Sequence, residues 1–143
     1  MRFSTDLHEM YVILTIDEEK ITSSISPQLK GEFVVLNTEG QKNIILDLEK
    51  VSYIDSSGLS AILVANRLCV NNGGSLILCN LNPHVSKLVE ISQLNSTLII
   101  VGSRQEAIEA VFLSTVEEDD DEEDLESEIM DEFGALGTAD DKE

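Results

Sequence analysis

The 143-residue sequence predicts an α/β protein with a mostly parallel sheet of four to five strands, an N-terminal antiparallel hairpin and about four helices. Three observations support this class. Short aliphatic runs alternate with longer segments of helical periodicity. The segments between the later strands are long enough for the crossovers that parallel strands need. The two strand-like segments nearest the N-terminus follow each other closely, which predicts the hairpin.

Two strand segments and a helix open the chain. Residues 3–7 alternate apolar and polar side chains, and residues 11–16 are rich in β-branched side chains. A first helix follows, because Ser26 is a suitable N-cap and Pro27 fits the first helical position, where its missing N–H is no loss. Gly40 is predicted to end this helix.

The later strands are short and almost wholly apolar. Residues 44–48 and 75–79 have the continuous aliphatic character of strands covered on both faces. Residues 97–101 give the last strand, and residues 21–23 are predicted to extend the sheet briefly. A second helix is predicted over 57–71. The two remaining helix starts are marked by Asn82 with Pro83 and by a capping box from Ser103 to Glu106.

The segment before the second helix contains the candidate site. Asp55, Ser56, Ser57, Gly58 and Leu59 place a carboxylate, two hydroxyls and a glycine at a helix start. The unpaired N–H groups there favour negative charge, so a phosphate on Ser56 or Ser57 would be tolerated. The alternative is a purely structural role, since Asp and Ser are common N-cap residues and Gly allows a tight turn.

No metal site, cofactor or catalytic motif is predicted. His8 and His84 lack ligand spacing, while Cys69 and Cys79 are predicted to be buried thiols. The sequence has no Gly-x-Ser-x-Gly elbow, Walker lysine or Rossmann glycine pattern, so it is not predicted to be an enzyme. No run reaches the ~18 apolar residues of a membrane span, and no signal region is visible. We therefore predict a cytoplasmic protein that does not insert into membranes.

Most of the negative charge lies at the C-terminal end. Residues 117–143 contain 15 acidic residues and only Lys142 as a base, which accounts for −14 of the net charge of −19. We predict one folded domain over 1–115 and a disordered acidic tail over 116–143. Residues 125–136 have the spacing of a short amphipathic helix that would dock a further partner; the alternative is a solubilising extension. Neither part has the basic face that direct binding to nucleic acid requires.

The segment from Asn43 to Leu59, with Asp-Ser-Ser-Gly-Leu after an aliphatic strand, resembles the central segment of STAS domains. The chain is most similar to the small single-domain anti-sigma factor antagonists, and the resemblance covers about residues 3–113. It implies that Ser56, the serine after the aspartate, is phosphorylated by a partner kinase that is itself an anti-sigma factor. Ser57 is the rival acceptor. The sequence differs from the common family pattern at two places. Residues 21–23 are Ile-Thr-Ser where many members have Gly-x-Leu-Asp, and residue 60 is serine where a small residue, often glycine, is common.

The resemblance implies a regulatory protein-binding module whose switch loop is 55–59. The unphosphorylated chain would bind the anti-sigma factor and free its sigma factor, phosphorylation at Ser56 would prevent binding, and a serine phosphatase would reset the switch. Two other functions remain open. One is a non-phosphorylated STAS adaptor subunit of a transport or signalling complex, and the other is a small-ligand or nucleotide sensor at the same helix start.

Overall fold

The computed structural model describes residues 1–120, with side chains described through residue 114. After an initial run of three strands, helices alternate with strands, except that two strands follow each other between the first and second helices. The strands are β1 (Phe3–Leu7), β2 (Val12–Ile16), β3 (Lys20–Ile21), β4 (Asn43–Asp47), β5 (Tyr53–Ile54), β6 (Ser75–Cys79) and β7 (Ile99–Val101). The helices are α1 (Ser26–Thr38), α2 (Ser56–Asn71), α3 (Pro83–Ile91) and α4 (Arg104–Asp120), with a 3₁₀ turn at Leu94–Ser96.

Five strands form the main sheet in the order β1-β2-β4-β6-β7. β1 pairs with β2 in antiparallel orientation, and every other pair in this sheet is parallel. The central register aligns Leu14, Leu46 and Leu78 across three neighbouring strands. These leucines are fully buried, as expected for strands covered on both faces. The predicted α/β fold with its N-terminal hairpin is therefore confirmed.

The two faces of the sheet carry different helices. From β2 to β7 the parallel strands are added in one direction, so right-handed crossovers place α1, α2 and α3 on the same face, over the larger core. On the other face, a smaller core joins Ala107 and Val111 of α4 to Ile13, Ile45 and Ile77 of the sheet. Within the described residues, α4 is the helix that covers this second face.

A second, two-stranded sheet was not predicted. β3 and β5 pair in parallel, with Lys20 opposite Tyr53 and Ile21 opposite Ile54. The sequence analysis predicted no strand between residues 48 and 57, and it expected residues 21–23 to extend the sheet briefly. The small sheet forms because Ile21 and Ile54 are both buried in the larger core, which brings their backbones side by side. It positions the chain that leads into α2.

The start of α1 differs from the prediction. The N-cap is Ile25, without a side-chain hydrogen bond, and Ser26 is already helical. The Ser26 side chain is buried and does not cap α1. The side-chain caps predicted at the starts of α3 and α4 are present. Asn82 accepts a hydrogen bond from the Val85 N–H at 2.9 Å, and Ser103 accepts one from the Glu106 N–H at 3.2 Å.

One compact unit covers Met1–Val111, and a second begins at Phe112, within α4. The described part of the second unit is the remainder of that helix, to Asp120. Most of the predicted tail, including the proposed helix at 125–136, lies outside the described residues. In the first unit, Cys69 and Cys79 are both free and buried, as predicted. Burial raises the pKa of Cys69 to about 11 and that of Cys79 to about 12.

Candidate functional site

The candidate site lies where β5 ends and α2 begins. Asp55 is the N-cap of α2, with extended backbone angles, and the helix starts at Ser56, one residue earlier than predicted. The Asp55 Oδ1 atom accepts a hydrogen bond from the Gly58 N–H at 3.0 Å, which satisfies one of the free donors of the first turn. The first turn of α2 therefore has the cap that the sequence indicated.

Both oxygens of the Asp55 carboxylate are engaged. Oδ1 also accepts a hydrogen bond from the Ser57 hydroxyl at 2.6 Å, and Oδ2 accepts one from the Ser23 N–H at 3.2 Å. The Ser57 hydroxyl, followed by the Gly58 N–H, holds the pKa of Asp55 below its ordinary value, because these donors stabilise the charged form. Asp55 thus joins the start of α2 to the loop after β3.

The two serines of the motif have different environments. Ser57 is half-buried, and its hydroxyl donates to Asp55 while accepting a hydrogen bond from the Ser26 hydroxyl at 3.0 Å. Ser56 is exposed, and its hydroxyl makes no hydrogen bond to any side chain or backbone group between residues 1 and 114. Of the two predicted acceptors, Ser56 is the accessible one.

Gly58 and Leu59 support the loop from the protein interior. A Cβ atom at position 58 would lie 2.6 Å from Ile54 Cγ1, 2.8 Å from Ile21 Cγ2 and 3.0 Å from the Ile21 carbonyl oxygen. The position therefore needs glycine because the chain passes too close to the small sheet for any side chain. Leu59 is buried in the larger core and does not contribute to the exposed surface of the loop.

An open cavity is lined by residues that include Ser57 of the motif, and an aromatic pair includes Tyr53, two residues before Asp55. The cavity has a volume of about 400 Å³ and lies between α1 and α2, beside Ser57. Tyr53 stacks on His84 of α3, with ring centroids 5.9 Å apart. The residues lining the cavity are Ser26, Pro27, Lys30, Gly31, Val34, Ser57 and Ser60.

A second polar group, which the sequence analysis missed, lies at the end of β4. Asp47 is 1% exposed and accepts a hydrogen bond from Arg104 Nε at 2.6 Å, from Asn80 Nδ2 at 3.1 Å and from the Glu49 N–H at 3.0 Å. The hydrogen bond to Asp47 raises the pKa of Arg104. A guanidinium in the first turn of a helix is disfavoured by the helix dipole, and Asp47 offsets this while fixing α4 to the sheet. An acid at the end of an apolar strand was the available signal in the sequence.

Two features are absent from the described part of the chain. No group of three or more His, Cys, Asp or Glu side chains there is arranged to hold a metal ion. No helix within it is long and apolar enough to cross a membrane.

Known proteins are similar to this chain in sequence and in fold. The STAS domain family profile matches residues 3–107. BtrV of Bordetella bronchiseptica, provisionally named an anti-sigma factor antagonist, is 33% identical over 90 residues, which cover 63% of this chain and 78% of BtrV. The chain therefore belongs to the STAS domain family. Its relatives within the family include proteins named anti-sigma factor antagonists.

Solved structures agree with the assignment at the level of fold. The provisionally named anti-sigma factor antagonist TM1081 of Thermotoga maritima has a TM-score of 0.69 at 22% identity, covering 76% of this chain and 93% of its own. The Bacillus cell fate determinant SpoIIAA, in its phosphorylated form, has a TM-score of 0.61 at 23% identity, covering 77% of this chain and 99% of its own. At these identities the likeness shows a shared fold.

Proposed function

We propose that the chain is an anti-sigma factor antagonist: a regulatory module that binds an anti-sigma factor with serine kinase activity and is switched off by phosphorylation at Ser56. The observation that carries the proposal is the exposed Ser56 hydroxyl, free of hydrogen bonds to the described residues, at the N-terminus of α2 beside an engaged Ser57. The relationship to BtrV supports the partner class. A serine phosphatase would return the protein to its binding state, and both reactions would take place in the cytoplasm.

The helix start explains how the folded domain tolerates the phosphate. Ser56 is the first residue of α2, where N–H groups and the helix dipole favour negative charge. A phosphoserine carries about −1.5 to −2 charges at neutral pH. The modified domain therefore keeps its fold, in agreement with SpoIIAA, whose phosphorylated form has a solved structure of the same fold.

The same charge would block docking. In a complex, the phosphate would lose its water and would lie beside the ionised Asp55 carboxylate, whose lowered pKa keeps it charged at neutral pH. An unpaired charge in a buried interface costs about 2 kcal/mol or more, which corresponds to ~30-fold in Kd. The switch then needs no conformational change in the domain itself.

Binding measurements with Ser56 variants test the proposal. We expect Ser56→Ala to bind the anti-sigma factor kinase of the same genome like the unphosphorylated wild type, and Ser56→Glu to bind at least ~30-fold more weakly by isothermal titration calorimetry. Ser92→Glu is the matched control, because Ser92 is exposed at the opposite end of the helix layer, after the C-terminus of α3. Equal binding by the two glutamate variants would refute the switch and favour an adaptor role.

A further inference from the structure

Ser26 has a buried hydroxyl that the proposed function does not use. Its residue is 5% exposed, and Ser26 and Asp47 are the two buried polar side chains in the described residues. The Ser26 Oγ atom donates to Ser57 Oγ at 3.0 Å, across the junction of α1 and α2. Buried hydroxyls are normally paired, and among the described residues Ser57 is the partner that the Ser26 hydroxyl has. The hydrogen bond therefore fixes both side chains.

This hydrogen bond restrains the nucleophilicity of Ser57. A serine hydroxyl has one proton to donate and two lone pairs. The Ser57 proton points to Asp55 Oδ1, at 2.6 Å, and one lone pair accepts the Ser26 proton. A phosphoryl acceptor must turn a lone pair towards the phosphorus and release its proton to a base. The Asp55 carboxylate is placed to act as that base, so the restraint on Ser57 is the hydrogen bond from Ser26, which occupies one of its lone pairs.

Ser56 lacks this restraint, but it also lacks the internal base that Ser57 has in Asp55. The Asp55 carboxylate is engaged by Ser57, Gly58 and Ser23, so it is not directed at the Ser56 hydroxyl. The base must come from the kinase. In the transfer, the bond from Ser56 Oγ to the γ-phosphorus of a nucleoside triphosphate forms while the β–γ bridging bond breaks. The nucleoside diphosphate leaves, and the hydroxyl proton passes to the kinase.

We propose that Ser26 is a positioning residue that selects the phosphoacceptor: by donating its proton to a lone pair of the Ser57 hydroxyl, it leaves Ser56 as the serine that the kinase can use. The inference rests on the proposed function. It assigns to a residue 31 positions before Ser57 a role in choosing between two adjacent serines.

Mass spectrometry of the full chain, expressed in the cells that encode it, tests the selection. Ser56→Ala removes the preferred acceptor, and we expect no more than trace phosphate at Ser57 in this variant. Adding Ser26→Ala frees a lone pair of the Ser57 hydroxyl while Asp55 remains in place as a base, and we expect phosphate at Ser57 to rise at least ten-fold. Ser60→Ala in the Ser56→Ala background is the control, because Ser60 lines the same cavity without a hydrogen bond to Ser57. This control is expected to match Ser56→Ala alone.

The outcomes separate the inference from the function on which it rests. Phosphate on Ser56 of the wild type, with equal Ser57 phosphate in all the Ser56→Ala variants, overturns the inference and leaves the proposed function intact. A wild-type chain without phosphate on either serine refutes the proposed function, and the inference fails with it.

Discussion

Replacing Gly58 with alanine is expected to destabilise the domain by about 1–2 kcal/mol. The added Cβ would lie within 3.0 Å of two isoleucine side chains and at 3.0 Å from the Ile21 carbonyl oxygen. Inserting a methyl group into such a packed site costs about 1–3 kcal/mol. Alanine recovers part of this, about 0.4–1 kcal/mol, by restricting the unfolded chain. The Ile21 carbonyl cannot move away freely, because it accepts a hydrogen bond from the Asp55 N–H at 3.0 Å.

Gly31 offers a matched control within the same chain. It lies in the middle of α1, is exposed, and a Cβ there would have no heavy atom within 4 Å. Gly31→Ala should therefore stabilise the domain by about 0.5–1 kcal/mol, since glycine is a poor helix former. The melting temperatures of the two single variants should therefore differ by on the order of 10 °C.

Thermal and urea unfolding, followed by circular dichroism, measure both variants against the wild type. The same glycine-to-alanine change should lower the free energy of unfolding at position 58 and raise it at position 31. Wild-type stability in Gly58→Ala, or a shift in the same direction in both variants, would refute this prediction.

Two further predictions concern the charged groups. Arg104→Gln should lower the free energy of unfolding by about 2–3 kcal/mol, because it leaves the buried Asp47 carboxylate without its cation. Urea unfolding measures this change. The control is Arg2→Gln at an exposed ion pair, which should change the free energy of unfolding by less than about 1 kcal/mol. Asp55→Asn should lose stability at neutral pH but not in acid. The folded-state pKa of Asp55 lies below its ordinary value of 3.8, so its contribution is complete above that pH and is lost as the pH falls through the folded-state value. A constant difference between wild type and Asp55→Asn, from pH 7 down to pH 2, would contradict this account.

The main sheet was predictable because its signals are local. The central strands β4 and β6 lie between two helical layers, so each has a run of three apolar side chains at its centre, and the sequence shows this directly. The cap of α2 was predictable for the same reason, since Asp55 and Gly58 are three residues apart. Short-range patterns of this kind need no knowledge of the tertiary structure.

The remaining features depend on distant pairs. β5 has two residues, too few for any periodicity, and it exists through pairing with β3. Ser26 looks like a helix cap because it precedes Pro27, yet its hydroxyl belongs to a partner 31 residues away. The ion pair of Asp47 and Arg104 spans 57 residues. A single sequence contains no signal that identifies such partners, which is why the cap of α2 at Asp55 was predicted but the hydrogen bonds from Ser23 and Ser26 were not.

Two of the hydrogen bonds that shape the switch loop, residues 55–59, come from Ser23 and Ser26, which lie 32 and 31 residues before their partners Asp55 and Ser57. The complete loop therefore forms only after α1 and the segment before it have packed against the start of α2. A short synthetic peptide spanning the motif would have its sequence without this conformation. Under the proposed function, a kinase that recognises the folded loop would not phosphorylate nascent, misfolded or proteolysed copies, so only molecules able to bind the anti-sigma factor would be regulated.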